Sequence, residues 1–423
     1  MGEEGGTRKG AKEGGGPSWA LEALADAAEE DGEGEGEGEG GPSPLSLPPC
    51  PQVLLRVHYP LDLSPHPCPW GRVYVFGTVE HAAGLNIQSF QQEKGVVDRA
   101  LWERQLPPGV QLLTPSKWSA RGFLASGLPS THIHVIPHGF NASLFHPPET
   151  AAVRRQLRVG LGWADDDEEE EEEREEEEEE DEEEQDEEEG GRGGREGSRD
   201  GGGCVVAISV GHMRWLKGAD ILLAGAVETA SSLPPGACLR MVLKGQDSLY
   251  GSTGELSGLL DKLTVSPSGA PLRELVDSLA AQGKLYLDVI GSDLSGERLG
   301  EMLRAADVYV SPYRAEGFNL PVLEAAASGL PLVVSSGGAT DEFTHTSFAL
   351  YIETEGRSGE DGSFYLEPKV GAFTSALRRA VVDARWRKRA GKAAAQWVRD
   401  NGYEWQDIAQ NHLELFFPNE YGI

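Results

Sequence analysis

Cysteine is scarce in this chain, four residues in 423, too few for a fold stapled by disulfides. Cys50, Cys68, Cys204 and Cys238 show no C-x-x-C spacing and no nearby histidine pair of zinc type. A zinc site is therefore not expected, and reduced thiols in a reducing compartment fit best. Long hydrophobic runs are also missing. No stretch approaches the ~20 apolar residues of a membrane span, and Met1 is followed by Gly and Glu rather than by the apolar core of a secretory leader. The sixth residue is Gly6, where a myristoylation signal carries Ser or Thr. The expectation is a cytoplasmic protein without an integral membrane segment and without a nucleic-acid partner.

Charge is abundant, but little of it belongs to the foldable chain. The formal net charge is −33, and residues 165–189 alone hold 23 acids with one Arg and one Gln. Residues 1–41 add twelve acids against three cations, so the remainder is close to neutral. Neither biased segment has enough apolar surface to offset its ordering entropy, and both are expected to be disordered. The acidic run reads as a solvated insertion, with a basic protein as its one specific partner class.

Between these segments short apolar runs alternate with helical patterns, which is the signature of βαβ units and parallel sheets. In the first block the pattern predicts strands at 53–57, 73–76, 110–113 and 132–136, with helices at 96–103 and 117–126. In the second it predicts strands at 205–210, 239–243, 285–290, 308–311, 332–335 and 349–352. Helices at 220–231, 272–280, 296–306, 322–328 and 372–385 connect them. A closing amphipathic helix near 405–415 has no evident partner and is free to pack back on the first block. The division that follows is a tail at 1–49, a first α/β domain at 50–150, a linker with the acidic insertion at 151–203, a doubly wound domain at 204–400 and a closing segment at 401–423.

Ligands of open α/β sheets sit beyond the carboxyl ends of the strands, so the segments just after each strand are the ones to search. One is Ser311-Pro312-Tyr313-Arg314-Ala315-Glu316-Gly317-Phe318-Asn319-Leu320-Pro321-Val322-Leu323-Glu324. Asn319 and Pro321 signal a helix start, whose free N–H groups favour an anion such as a diphosphate. Gly317 is expected to admit that anion close to the main chain. Ionised Glu316 and Glu324 only accept hydrogen bonds, which suits the hydroxyl pairs of a sugar and a ribose. The other segment is Gly211-His212-Met213-Arg214-Trp215-Leu216-Lys217-Gly218, again between a strand and a helix, and it offers two cations.

The first string, running on through Ala325-Ala326-Ala327-Ser328-Gly329-Leu330-Pro331, closely resembles the donor-site motif of family-four retaining glycosyltransferases of the GT-B fold. The turn 337–342, Gly-Gly-Ala-Thr-Asp-Glu, resembles that family too. So do Thr114-Pro115-Ser116-Lys117-Trp118 and Ile136-Pro137-His138-Gly139-Phe140-Asn141 in the first block. The resemblance covers 53–147 and 205–417. It implies two Rossmann-like domains, the first on the acceptor side and shortened, and the second binding a nucleotide sugar. It further implies that Glu316 contacts the transferred sugar, that Gly317 and the amides of Phe318, Asn319 and Leu320 meet sugar and diphosphate, and that Glu324 binds ribose. Lys217 and Arg214 then compensate the leaving diphosphate, although many members place the Arg where this chain has His212. The implied reaction is transfer with retention to an acceptor not identified, with no cofactor beyond the nucleotide-sugar co-substrate and, with no Asp-x-Asp motif in a plausible site, no metal. Other readings are a sugar-nucleotide-binding pseudoenzyme and a GT-B epimerase. The first block lacks the opening strand and Gly-rich loop of the family, so an exposed apolar sheet edge and poor transfer to acceptors are expected.

Overall fold

The alternating pattern condenses into two parallel sheets. The computed structural model describes residues 53–57, 72–78, 109–125, 128–163, 204–265, 269–359 and 364–418. The expected helix at 96–103 and the expected disorder of 1–49 and 165–203 lie outside them.

The first sheet has strands β1 (Val53–Val57), β2 (Arg72–Phe76), β3 (Val110–Thr114) and β4 (Ile133–Val135), in that order and all parallel. Helix α1 (Lys117–Ala125) follows β3, and α2 (Ala151–Leu161) leads away from β4. The second sheet runs in the order β12, β11, β10, β5, β6, β9. Its strands are β5 (Val205–Val210), β6 (Leu239–Lys244), β9 (Leu285–Ile290), β10 (Val308–Ser311), β11 (Leu332–Ser335) and β12 (Ala349–Ile352). Every residue of β10 and β11 is buried, as in a parallel sheet covered on both faces, which is why their sequences read as apolar runs broken only by a closing serine.

Helices α3 (Ala219–Ser231), α4 (Asp247–Tyr250), α5 (Ser252–Lys262), α6 (Leu272–Ala281), α7 (Gly296–Ala305), α8 (Leu320–Ala327), α9 (Val370–Val382), α10 (Ala384–Asp400) and α11 (Trp405–Phe416) complete the order. Two short pairs, β7 (Thr264–Val265) with β8 (Ala270–Pro271) and β13 (Thr354–Ser358) with β14 (Phe364–Pro368), are antiparallel. Chain progress from β5 goes outward to β6 and β9 and then returns to β10 on the other side of β5. The switch point, where a doubly wound sheet opens its crevice, thus lies between the carboxyl ends of β5 and β10.

Three sequence expectations need correcting. The helix expected at 372–385 is two helices, because Asp383 ends α9 and its carboxylate accepts the Trp386 N–H at 2.8 Å to cap α10. The hairpin β13–β14 was not foreseen, since its half-exposed polar strands lack an apolar period. Cys204 and Cys238 are joined as a disulfide, with Cα atoms 4.7 Å apart, because each immediately precedes one of two strands paired in register, Val205 opposite Leu239. Reduced thiols, read from spacing along the chain, are not what this neighbourhood shows.

The closing helix finds its partner on the first sheet. Ile408 and Phe416 pack with Tyr74, Leu113 and Ile136, and the Tyr74 hydroxyl donates to the Leu415 carbonyl at 3.3 Å. The chain crosses between sheets at Phe140 and again at Tyr403–Trp405, where Phe140 N–H donates to Tyr403 O at 2.9 Å and Trp405 N–H to Phe140 O at 3.1 Å. On β1, at the edge of the first sheet, Leu55 is 40% exposed. No helix among the described residues is long and apolar enough to cross a membrane.

Candidate functional site

The two segments singled out in the sequence meet at the switch point. Lys217 closes a short 3-10 turn after β5, and its ammonium forms an ion pair with the Glu316 carboxylate on the turn after β10. Both side chains are largely buried, at 17% and 7% exposure. Two glycines make this approach possible. Gly211 lies beneath the Lys217 side chain, with φ +145°, and Gly218, with φ +71°, passes so close to Pro312 that a Cβ there would overlap the Pro312 carbonyl oxygen. Gly218→Ala is accordingly expected to cost about 1–2 kcal/mol, from the left-handed backbone and the clash together. Chemical denaturation checks it, and an unchanged midpoint would show that the two loops need not touch.

Asn319 is the one non-glycine residue with positive φ, 77°, among the described residues. It begins α8, yet its side chain does not cap the helix; Nδ2 donates to Ser311 Oγ at 3.0 Å instead. The amides of Phe318, Asn319 and Leu320 have no acceptor among the described residues, and they lie at a helix start. Such strained, open backbone is characteristic of binding sites. Gly317 has a protein neighbour. The space its missing Cβ leaves is filled by Thr78, beyond β2, and its carbonyl accepts a hydrogen bond from Ser116 Oγ. The close approach at this glycine is to the Thr78 side chain of the first sheet.

Glu324 lies on the second turn of α8, and its carboxylate has no hydrogen-bond partner among the described residues. Burial pushes its pKa up to about 7. It lies close enough to Tyr309 to raise that phenol further, and Tyr309 in turn holds the end of β5 by accepting the Val210 N–H at 3.3 Å. A half-neutral carboxyl with nothing to accept from, beside open amides, is a functional-site signature.

Arg214 is not brought onto the Lys217–Glu316 pair. It is exposed, with its guanidinium 5.6 Å from the Tyr250 ring and a 3.4 Å hydrogen bond to the Tyr250 carbonyl. It shares with Lys217 the neighbourhood of His212, whose pKa falls to about 4 through burial first and these two cations next. His212 Nδ1 is buried without a partner. Among the described residues no group of three or more His, Cys, Asp or Glu is placed to hold a metal ion.

The comparisons with known proteins fall on this same region. Residues 205–383 match the family described as Glycosyl transferases group 1. The sucrose-phosphate synthase of Thermosynechococcus elongatus superposes with a TM-score of 0.52 at 17% identity, covering 82% of this chain and 67% of that one, and the fold is GT-B. Curated relatives include the MMP alpha-(1->4)-mannosyltransferase of Mycolicibacterium hassiacum, 29% identical over 159 residues, 36% of this chain and 33% of the relative. The D-inositol 3-phosphate glycosyltransferase of Acidothermus cellulolyticus is 24% identical over 246 residues, 57% of this chain and 42% of the relative. The chain thus spans less than half the length of either curated relative.

Three residues of this GT-B site escaped the sequence reading. Arg314, 4% exposed, binds Asp220 through both terminal nitrogens (2.7 and 2.9 Å), binds Glu367, donates to the Trp215 carbonyl and stacks over the Trp215 ring. It thereby ties the Lys217 turn to β14 and α3; an Arg between two strand-end motifs was the available signal. Glu342 accepts the N–H groups of Lys117 and Trp118 at 2.9 and 3.0 Å, capping α1 of the first sheet from the domain carrying the donor-type motif. His138, wedged among Phe76, Phe318 and Trp405, has its pKa lowered to about 4 by burial and by His412. A neutral imidazole suits these rings. Stability stored in a depressed histidine pKa is present above its unfolded value, about 6.5, and is lost as pH falls towards 4. The thermal midpoint should therefore fall over that window, and less so in His138→Phe; parallel profiles for the two proteins would refute the assignment.

Proposed function

We propose that this protein binds a nucleotide diphosphate sugar at the crevice between β5 and β10 and transfers the sugar, with retention, to an acceptor alcohol. One observation carries the reading. Glu324 stands without a hydrogen-bond partner among the described residues, its pKa raised to about 7, on the helix whose first amides are open. The Lys217 ammonium meets Glu316 on the turn before that helix, an order that suits a ribose diol followed by a diphosphate. Relatives named as a mannosyltransferase and a glycosyltransferase support the same chemistry.

In this reading Glu324 accepts from the two ribose hydroxyls. The amides of Phe318, Asn319 and Leu320 and the Lys217 ammonium gather the diphosphate, and Arg214 swings from Tyr250 to share its charge. Glu316 is released from Lys217 when the diphosphate arrives and accepts from hydroxyls of the transferred sugar. As the glycosidic bond breaks, negative charge grows on the leaving phosphate, and a cation and fixed amide dipoles in a buried crevice stabilise that charge with little reorganisation. The step balances: the acceptor oxygen forms its bond to the anomeric carbon as the bond from that carbon to the phosphate oxygen breaks, the acceptor proton passes to the leaving phosphate oxygen, and nucleoside diphosphate departs.

A thermal-shift screen across uridine, guanosine and adenosine diphosphate sugars tests the reading. A rise of the midpoint with one nucleotide family is expected; no rise with any would refute donor binding. Turnover with and without alcohol acceptors then separates transfer from binding alone and from epimerisation of the sugar nucleotide itself.

A further inference from the structure

The strongest charge feature of the described surface is cationic. From Arg378 to Arg399 the chain carries eight Lys and Arg residues against a single acid, Asp383. That acid is already engaged, capping α10 at Trp386 and pairing with Arg379 at 4.0 Å. The buried stripe of α10 is Trp386, Ala390, Gly391, Ala394 and Val398. On its outer side Lys388, Arg389, Lys392 and Arg399 are exposed, as is Arg378 at the end of α9, and none of these five has a carboxylate partner among the described residues. The two helices present them together, since the Arg379 guanidinium lies 5.7 Å from the Trp386 ring.

A solvated helix face normally interleaves both signs. Here like charges recur at helical neighbours, Arg385 with Arg389 and Lys388 with Lys392, and such i,i+4 pairs repel and destabilise the helix. The face asks for a polyanion. The chain supplies one, the run 165–189 with 23 acids, whose flanking residues leave and re-enter the described structure close by. Its upstream anchor is Trp163, buried at the end of α2, and its downstream anchor is Cys204 before β5. Arg154 and Arg158 of α2 hold Asp307, and Asp307 accepts the Val206 N–H of β5 at 2.7 Å. Arg387 of α10 acts on that same Asp307, helping to hold its carboxyl well below the usual range. Both tether points and the start of the cationic helix therefore share one neighbourhood.

We propose that the acidic segment 165–189 docks within its own chain on the cationic face of α10 and the end of α9. Tethering at both ends gives the segment a millimolar-scale effective concentration. The helix is about 25 Å long at 1.5 Å per residue, and the 40 residues between the anchors reach several times that when extended. Docking neutralises the repelling stripe and withholds it from other polyanions, such as anionic lipid.

Carbodiimide cross-linking of the full chain, which joins carboxylates to lysine amines at zero length, tests this directly. Expected are peptides linking 165–189 to Lys388 and Lys392 in the monomeric fraction, in excess over links to Lys262, and lost in about 1 M salt, where the Debye length is near 3 Å. Equal linkage to all three lysines, or linkage found only between chains, would overturn the proposal. A second arm replaces 165–189 by a Gly/Ser run of equal length and measures binding to phosphatidylserine-containing vesicles. The replaced chain should bind and the full chain should not. Equal vesicle binding by both would mean that the face belongs to a membrane surface and that the segment does not cover it. Neither arm depends on nucleotide-sugar binding.

Discussion

Replacing Lys217 with Ala is expected to lower turnover about 10²–10³-fold while changing donor affinity less than tenfold. The asymmetry follows from when the charge appears. The ground-state diphosphate is already gathered by the open amides of 318–320, whereas the charge released on bond breaking grows in the transition state and needs a cation that is already in place. The structure adds a complication, because Lys217 neutralises Glu316, and the substitution leaves that carboxylate buried alone. A double-mutant cycle with Glu316→Gln separates the two effects. If Lys217→Ala costs the same in the Glu316→Gln background, the cation acts on the substrate. If the cost disappears there, the cation served only to hold Glu316. Equal losses in turnover and affinity would instead assign Lys217 to simple donor binding.

Glu324→Ala should weaken nucleotide-sugar binding by about 1–3 kcal/mol, from a few-fold to more than a hundredfold, through the loss of an acceptor for two hydroxyls. The pH dependence gives a sharper readout. The unliganded carboxyl is raised to about 7 by burial, so its protonated form dominates at pH 6. Donated hydroxyls favour the ionised form, so binding at pH 6 should release close to one proton, and affinity should climb as pH rises towards 7 and above. Calorimetry in two buffers of different ionisation enthalpy measures that proton. The sign for stability is opposite. A raised carboxyl pKa means that the unfolded chain ionises first, so this group lowers the stability of the unliganded fold as pH rises from about 4.5 towards 7 and keeps it lowered above. Glu324→Gln should therefore raise the thermal midpoint at pH 8 and do little at pH 4. Unchanged proton release in Glu324→Gln would place the linked group elsewhere.

Much of the fold was legible because its strands are buried on both faces. Val205–Val210, Val308–Ser311 and Leu332–Ser335 are near-continuous apolar runs, each with a single serine at or near its carboxyl end, and each matched its strand end to end. Elements without that signature were missed: the half-exposed hairpin β13–β14, and the junction at Asp383, where one carboxylate divides what reads as a single helix. The position of the candidate site along the chain was legible for a related reason. Its chemistry-bearing residues sit within a few positions of strand ends, and local order in the chain carries that information.

What only the tertiary structure decided is how distant positions were spent. Lys217 and Glu316, 99 residues apart, became one ion pair, while Arg214, three residues from Lys217, turned to Tyr250. Gly317 proved to be a contact with Thr78, Cys204 met Cys238 across adjacent strands, and Glu342 capped a helix 225 residues away. The physical reason is the same in each case. Periodicity and strand-end position are local properties that a sequence states outright, but the partner of a charge, a thiol or a missing Cβ is set by which strands lie side by side, and the order β12, β11, β10, β5, β6, β9 is written nowhere along the chain.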